Sequence, residues 1–90
     1  TNTTLSFARH FLSGTKVGVF ALFAGGRHPN GNSNVVDVWN SENNTWTTAN
    51  LTQERYGLAS TSVRKYALFA GGYVLGGYSK VVDIWNSDDN

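Results

Sequence analysis

An internal repeat constrains this chain more than any other feature of its sequence. Shifting the 90 residues by 46 positions aligns residues 1–44 with residues 47–90 without a gap, and 21 of the 44 aligned pairs are identical. The best-matched blocks read Ala-Leu-Phe-Ala-Gly-Gly and Val-Val-Asp-Val/Ile-Trp-Asn-Ser. A period of about 40 to 50 residues is typical of units that stack on one another and bury a shared core. We therefore divide the chain into two copies of one unit, residues 1–46 and 47–90.

Each unit contains four segments with the length and composition of β-strands. The predicted strands are residues 58–63, 66–70 and 81–85 in the second copy, and residues 45–49 as the outer strand of the first. Residues 66–70 are apolar on both faces, as in a strand that is buried on both sides. No segment has the period of an amphipathic helix. The sequence therefore predicts an all-β protein made of four-stranded antiparallel sheets.

Several residue types recur at matching positions in both copies: an Arg opening the first strand, Gly-Gly ending the second, and an Asp and a Trp in the third. With a further Trp in the outer strand of the first copy, these residues are Arg9, Gly25, Gly26, Asp37, Trp39, Trp46, Arg55, Gly71, Gly72, Asp83 and Trp85. The pattern resembles the kelch repeat, and the match covers essentially the whole chain. The resemblance implies that each copy is a four-stranded blade of a kelch-type β-propeller. The chain departs from it in two ways: Trp-Asn stands where kelch repeats commonly have Tyr-Asp, and the second copy reaches Asn90 before the equivalent of Trp46.

We expect these repeated residues to be structural. Each Gly-Gly ends a strand, where glycine allows a positive φ or the close approach of another backbone, and no Gly-Lys-Ser/Thr follows it as a phosphate-binding loop requires. The Trp side chains are expected to pack between blades rather than to stack on a sugar or a base. Asp37 and Asp83 lie mid-strand among Val and Trp, where a buried carboxylate must be paired. We predict that each accepts hydrogen bonds from an Arg or from backbone N–H groups.

The sequence contains no recognisable catalytic or cofactor-binding arrangement. It has no cysteine, and neither of its two histidines, His10 and His28, recurs in the other copy. Zinc sites need several such ligands at close spacing, and the Gly-x-Ser-x-Gly motif of many hydrolases is missing. We therefore expect no enzymatic activity, no cofactor and no metal site.

Composition argues against two classes of partner. Charged residues make up 14% of the chain and the net charge is +1, without the basic patch that is typical of nucleic-acid binding. No apolar run approaches the ~18 residues of a membrane-spanning helix. We expect neither nucleic-acid nor membrane binding.

The segments after Gly-Gly, residues 27–34 and 73–80, differ most between the two copies. Loops on a rigid scaffold are where binding residues concentrate, although tolerant turns would diverge in the same way. The kelch resemblance implies ligand contacts immediately after Gly-Gly and at the start of the first strand. The candidate ligand-binding residues are therefore Arg27, Tyr73, His10 and Tyr56.

Three functions are compatible with this sequence. The first, implied by the resemblance, is a non-enzymatic binding or interaction scaffold for a peptide or protein. The second is a minimal two-blade fragment whose activity is self-assembly. The third is a carbohydrate-binding or carbohydrate-active propeller.

Two blades alone would leave one apolar face of each uncovered, so we expect the chain to bind other copies of itself. A head-to-tail ring would cover these faces. Propellers have about four to eight blades and each chain supplies two, so a trimer with six blades is our first expectation and a tetramer with eight is the second. Residues 1–4 have the repeat phase of the outer strand that the second copy lacks, and we expect a neighbour's residues 1–4 to complete that blade.

Overall fold

The Ala-Leu-Phe-Ala segments that recur in the sequence form the second strand of each of two antiparallel sheets. A computed structural model describes residues 1–89, and within them lie eleven strands and one short 3-10 helix. The elements are β1 (Ser13–Val17), β2 (Phe20–Ala24), β3 (Arg27–His28), β4 (Gly31–Asn32), β5 (Val35–Asn40), β6 (Thr45–Asn50), β7 (Ala59–Val63), β8 (Tyr66–Ala70), β9 (Tyr73–Val74), β10 (Gly77–Tyr78), β11 (Val82–Asn86) and the 3-10 helix Ser87–Asp89. The prediction of an all-β protein with antiparallel sheets is confirmed. Asn90, the last residue of the second copy, lies outside the described residues.

Sheet 1 contains four strands in the order β1-β2-β5-β6. The apolar strand β2 pairs with a neighbour on each side, and its Phe23 lies opposite Asp37 on β5. The polar strand β6 pairs with the outer edge of β5, where Trp46 lies opposite Trp39. The outer strand predicted at residues 45–49 is therefore present and extends one residue further.

Sheet 2 contains three strands in the order β11-β8-β7. These are the strands predicted at residues 81–85, 66–70 and 58–63, and each observed end lies within one residue of the predicted end. Within residues 1–89, no strand pairs with the outer edge of β11, the place that β6 takes in sheet 1. The same part of the chain contains no helix with the length and hydropathy needed to cross a membrane.

The Gly-Gly pairs turn the chain out of β2 and β8 with a left-handed backbone. Gly25 and Gly26 have φ of 71° and 107°, and Gly72 has φ of 92°, a region that side chains disfavour. Space is also restricted: a Cβ atom at Gly25 would lie 2.6 Å from the carbonyl oxygen of Arg55, and one at Gly72 would lie 2.7 Å from that of Tyr56. Both predicted reasons for glycine, backbone conformation and close backbone approach, are therefore present.

Side chains alternate along the strands, so each sheet has two faces. Two of these faces pack against each other, and we call them the inner faces. The inner face of sheet 1 comprises Leu22, Ala24, Val36 and Val38, and that of sheet 2 comprises Ser60, Ala67, Phe69 and Trp85. We call the others the outer faces: that of sheet 1 comprises Ala21, Phe23, Asp37, Trp39 and Trp46, and that of sheet 2 comprises Val63, Leu68, Val82 and Ile84. The residues on the inner face of sheet 1 therefore align, in the repeat, with the residues on the outer face of sheet 2.

The hydrophobic core lies between the two inner faces. Leu22 and Phe69 are almost completely buried, and burying a side chain of this size stabilises the fold by roughly 2 kcal/mol. The ring of Phe20 meets that of Trp85 edge-on, with centroids 5.2 Å apart, so Trp85 packs between the sheets. At the edge of the contact, the Ser60 hydroxyl donates a hydrogen bond to a backbone carbonyl of β1. These contacts fix one sheet against the other and so position the loops at their ends.

Candidate functional site

Arg9 links the start of the first repeat to the third strand of sheet 1. Its Nη1 donates to Asp37 Oδ2 at 2.9 Å, and its Nε donates to the Gly25 carbonyl at 2.6 Å. The hydroxyl of Ser6 also donates to the same carboxylate oxygen, at 3.0 Å. The Arg9 and Asp37 side chains are 0% and 2% exposed. The charge of each is therefore balanced by a partner that is equally removed from water.

The second repeat makes the same arrangement. Arg55 Nη1 donates to Asp83 Oδ2 at 2.8 Å, and Arg55 Nη2 donates to the Phe69 carbonyl at 2.8 Å. The backbone N–H and the hydroxyl of Thr52 donate to the same carboxylate, at 3.1 and 3.2 Å. Arg55 Nε is buried and has no hydrogen-bond partner among the described residues. The prediction that each Asp accepts hydrogen bonds from an Arg or from backbone N–H groups is confirmed in both copies, and both kinds of donor are present.

The residues that follow each Arg pair with those that follow each Gly-Gly. His10 and Arg27 exchange two backbone hydrogen bonds of 2.9 and 2.7 Å, and Tyr56 and Tyr73 exchange two of 3.1 and 2.8 Å. Beyond these bridges, the segments after Gly-Gly fold back as the small hairpins β3–β4 and β9–β10. The four candidate ligand-binding residues thus form two backbone pairs, one in each repeat.

Three of those four side chains are in contact across the two repeats. The rings of Tyr56 and Tyr73 stack with centroids 5.1 Å apart. The Arg27 guanidinium carbon lies 5.5 Å from the Tyr56 ring centroid, within the range of a cation–π interaction. Tyr78 extends the cluster, with its ring centroid 5.2 Å from that of Tyr73. The structure thus forms an aromatic and cationic cluster at the end of the sheets where the hairpins lie.

His10 stands apart from this cluster. Its ring lies 4.5 Å from that of Phe11, and the Phe11 ring lies 6.0 Å from that of Tyr56. Phe11 has a φ of 57° and occupies the repeat position of Gly57, whose φ is 66°. Phe11 and Tyr78, whose rings lie beside Tyr56 and Tyr73, were not among the predicted site residues. For Phe11 the available signal was its alignment with Gly57 in the repeat, because glycine is common where the backbone is left-handed.

A groove of about 520 Å³ lies between the two hairpins. It is lined by Arg27, His28, Asn30, Gly31, Asn32, Glu54, Tyr56, Val74, Leu75 and Gly76. Of the four predicted residues, Arg27 and Tyr56 line this groove. Tyr73 does not line it but stacks on the ring of Tyr56. His10 lines a separate groove beside Arg27. Leu75 is 97% exposed at the rim of the groove between the hairpins. The groove thus offers a cation, amide groups, a carboxylate and apolar side chains.

The outer face of sheet 1 forms an apolar hollow of about 510 Å³. Trp39, Trp46 and Phe23 form its floor, and residues 3–5 border it. The indole N–H of Trp46 donates to Thr3 Oγ1 at 3.1 Å. Trp39 and Trp46 therefore lie on a face that no described sheet covers and that residues 3–5 line at one edge.

The outer face of sheet 2 is exposed and apolar. Val82 and Ile84 on β11 are 50% and 63% exposed, whereas Val36 and Val38, their counterparts in the first repeat, are 3% and 1% exposed. The difference arises because sheet 2 covers the counterparts. Val63, Val82 and Ile84 thus expose large apolar side chains on one face of the sheet.

The described residues contain no group of three or more His, Cys, Asp or Glu side chains placed to hold a metal ion. A scan against protein-family models finds no match, and a comparison with curated proteins finds none either.

Proposed function

We propose that this chain is a non-enzymatic interaction scaffold that assembles head to tail with copies of itself into a closed kelch-type propeller. The observation that carries the proposal is the match between the buried inner face of sheet 1 and the exposed outer face of sheet 2. Leu68, Val82 and Ile84 repeat the residue positions of Leu22, Val36 and Val38. The first repeat therefore buries this surface under a sheet, whereas the second repeat exposes the equivalent surface to solvent.

The partner surface for this outer face is the outer face of sheet 1. It repeats the inner face of sheet 2, with Phe23 in the place of Phe69 and Trp39 in the place of Trp85. Stacking one chain on the next would therefore reproduce the contact between the two sheets of a single chain. Trp39 of one copy would meet Tyr66 of the next in the way that Trp85 meets Phe20.

Such a contact is heterologous, because two different surfaces meet, and it closes into a ring when the repeated rotation completes a circle. We propose six sheets from three chains, with eight sheets from four chains as the second possibility, since propellers close with about four to eight blades. Native mass spectrometry tests this proposal. We expect a particle of three 9.8 kDa chains, and a folded monomer at micromolar concentration would refute the assembly.

We propose further that the groove between the hairpins is the contact surface for a peptide or protein segment. The observation behind this second part is the cluster in which Arg27 lies over Tyr56 and Tyr56 stacks on Tyr73. Arg and Tyr are the residue types that dominate binding hot spots, because they combine a large contact area with directed polar groups. Screening the chain against a peptide array and a glycan array tests this part, and binding only to glycans would favour the carbohydrate alternative.

A further inference from the structure

We infer that Asn30 is a site of spontaneous covalent modification, at which the side-chain amide is lost as ammonia and a carboxylate takes its place. Asn30 and Gly31 lie where the hairpin β3–β4 turns, and both line the groove between the hairpins. The modification places a negative charge on the hairpin that carries Arg27. The reaction depends neither on the proposed assembly nor on the identity of a ligand.

The reaction joins two neighbouring residues and needs only water. The backbone nitrogen of Gly31 attacks the side-chain carbonyl carbon of Asn30, so that a new N–C bond forms and the C–N bond of the amide breaks. The departing nitrogen takes the amide proton of Gly31 and leaves as ammonia. A water molecule then opens the resulting succinimide ring at either carbonyl. The product is aspartate, or isoaspartate in which the chain continues through the side-chain carboxyl group, and both are ionised at neutral pH.

Glycine is the residue that hinders this attack least. It has no Cβ atom, so its nitrogen can approach the preceding side chain closely. Gly31 has a φ of 134°, and a Cβ atom built on it would meet nothing within 4 Å. Asn30-Gly31 is also the one Asn-Gly pair in the sequence. The backbone nitrogen that must react is therefore unhindered.

The hairpin that holds this pair is short and exposed. It contains two residue pairs, Arg27 with Asn32 and His28 with Gly31. A two-stranded hairpin of this size is only marginally stable by itself and opens at a small cost in free energy. Asn30 is exposed at its turn, so water reaches the amide. The pairing of Gly31 with His28 therefore opens often enough for the Gly31 nitrogen to reach the side chain.

The next two Asn residues are followed by N–H groups that the fold holds in place. The N–H of Ser33, which follows Asn32, donates to the Gly26 carbonyl at 2.8 Å. The N–H of Val35, which follows Asn34, donates to the Ser33 hydroxyl oxygen at 3.0 Å. Serine and valine also carry side chains that hinder the attack. We therefore expect the reaction to be selective for Asn30.

The test is to incubate the purified chain in warm neutral buffer for several weeks and to map it by mass spectrometry after digestion with trypsin. Trypsin cleaves after Lys and Arg, so it releases residues 28–55 as one peptide that contains Asn30, Asn32 and Asn34. We expect this peptide to gain the mass difference between an amide and a carboxyl group. It should separate into an aspartate and an isoaspartate form on chromatography, and fragment spectra should locate the change at Asn30.

Two variants identify the reacting groups. Asn30→Gln keeps the amide but lengthens the side chain by a methylene, which disfavours ring closure, so the peptide should keep its mass. Gly31→Ala adds a methyl group beside the attacking nitrogen, in space that is otherwise open, and should slow the change several-fold. Circular dichroism checks the fold of both. Asn30→Gln leaves the backbone at Gly31 unchanged, so it decides the test if Gly31→Ala does not fold.

Retention of the Asn30 amide throughout the incubation would overturn the modification site. Equal conversion at Asn30, Asn32 and Asn34, or conversion that proceeds at the same rate in Gly31→Ala, would overturn it as well. Conversion at Asn30 in a chain that stays monomeric or binds no peptide would support the modification site while contradicting the proposed function, because the reaction needs only the hairpin and water.

Discussion

Val36 and Val82 occupy the same position in two copies of one repeat, yet Val36 is 3% exposed and Val82 is 50% exposed. Both lie in the third strand of their sheets, and each is flanked by Val and Asp. The difference is one of surroundings: sheet 2 covers Val36, and no described residue covers Val82 to the same extent. This contrast underlies the assembly proposed here and leads to the first prediction.

Replacing Ile84 with Arg should prevent assembly. Ile84 is 63% exposed in the middle of β11 on the outer face of sheet 2, and a charge buried there without a partner would be costly. We expect native mass spectrometry of Ile84→Arg to show a smaller species than the unmodified chain. The control is Leu75→Arg, which makes the same kind of change at a side chain that is 97% exposed on a hairpin. Assembly that survives Ile84→Arg, or is lost equally in the control, would contradict the proposed contact.

Removing the carboxylate of Asp37 should destabilise the fold strongly. Asp37→Ala leaves the Arg9 guanidinium, which is 0% exposed, without its charged partner, and breaking a buried pair in this way costs about 3 kcal/mol. The free energy of unfolding should fall accordingly in a denaturant titration at fixed protein concentration.

The matched control for this change is Asp88→Ala. Asp88 accepts a hydrogen bond from Lys65, and this bond and its charge raise the pKa of the Lys65 amine. The Lys65 and Asp88 side chains are 47% and 64% exposed. Water therefore screens the pair, and its loss should have a far smaller effect on stability. Equal losses in Asp37→Ala and Asp88→Ala would mean that the buried pair contributes no more than a surface pair.

Gly25 and Gly18 both have positive φ, but only Gly25 should resist substitution. A Cβ atom at Gly25 would approach the Arg55 carbonyl to 2.6 Å, whereas one at Gly18 would have no neighbour within 4 Å. The repeat counterpart of Gly18 is Arg64, which carries a side chain at φ of 55°. Gly18→Ala should cost about 1 kcal/mol for the left-handed backbone, and Gly25→Ala about 3 kcal/mol because the contact adds to it. Thermal unfolding of both variants would measure this difference.

Substitutions in the aromatic cluster should weaken binding without affecting assembly. For a peptide selected on an array, Arg27→Ala and Tyr73→Ala should each reduce affinity about tenfold or more, as at a binding hot spot. Arg27→Ala would remove a direct contact with the peptide, and Tyr73→Ala would remove the stacking that holds the Tyr56 ring. Calorimetric titration measures both, with Arg64→Ala, an exposed Arg on the β7–β8 turn, as the control. Unchanged affinity in both cluster variants would rule out the groove as the binding surface.

Local features of the fold could be predicted from the sequence with good accuracy. The main strands lie within one residue of their predicted ends, because apolar runs bounded by Gly or Asn depend on short-range preferences. The sequence also predicted that Asp37 and Asp83 accept hydrogen bonds from an Arg or from backbone N–H groups, because a carboxylate in an apolar strand needs a partner. The structure shows which Arg each one meets, 28 positions earlier in both copies.

The candidate site was only partly predictable. Arg27, Tyr73, His10 and Tyr56 were predicted as one ligand site, but His10 lines a separate groove. The stacking of Tyr56 on Tyr73 depends on how the loop after Arg55 meets the β9–β10 hairpin. Phe11 was missed because its left-handed backbone, which turns the side chain outward, is unusual for an aromatic residue.

The sequence by itself determined the two-fold repeat, the all-β class, the glycine turns and the need of Asp37 and Asp83 for hydrogen-bond donors, because each depends on residue types at short or repeated spacing. Only the tertiary structure decided which face of each sheet is covered and which is open. Val82 and Ile84 have almost the same neighbours in sequence as Val36 and Val38, so no local pattern distinguishes them. Their burial depends on whether another sheet lies against them, which is set by the packing of whole sheets.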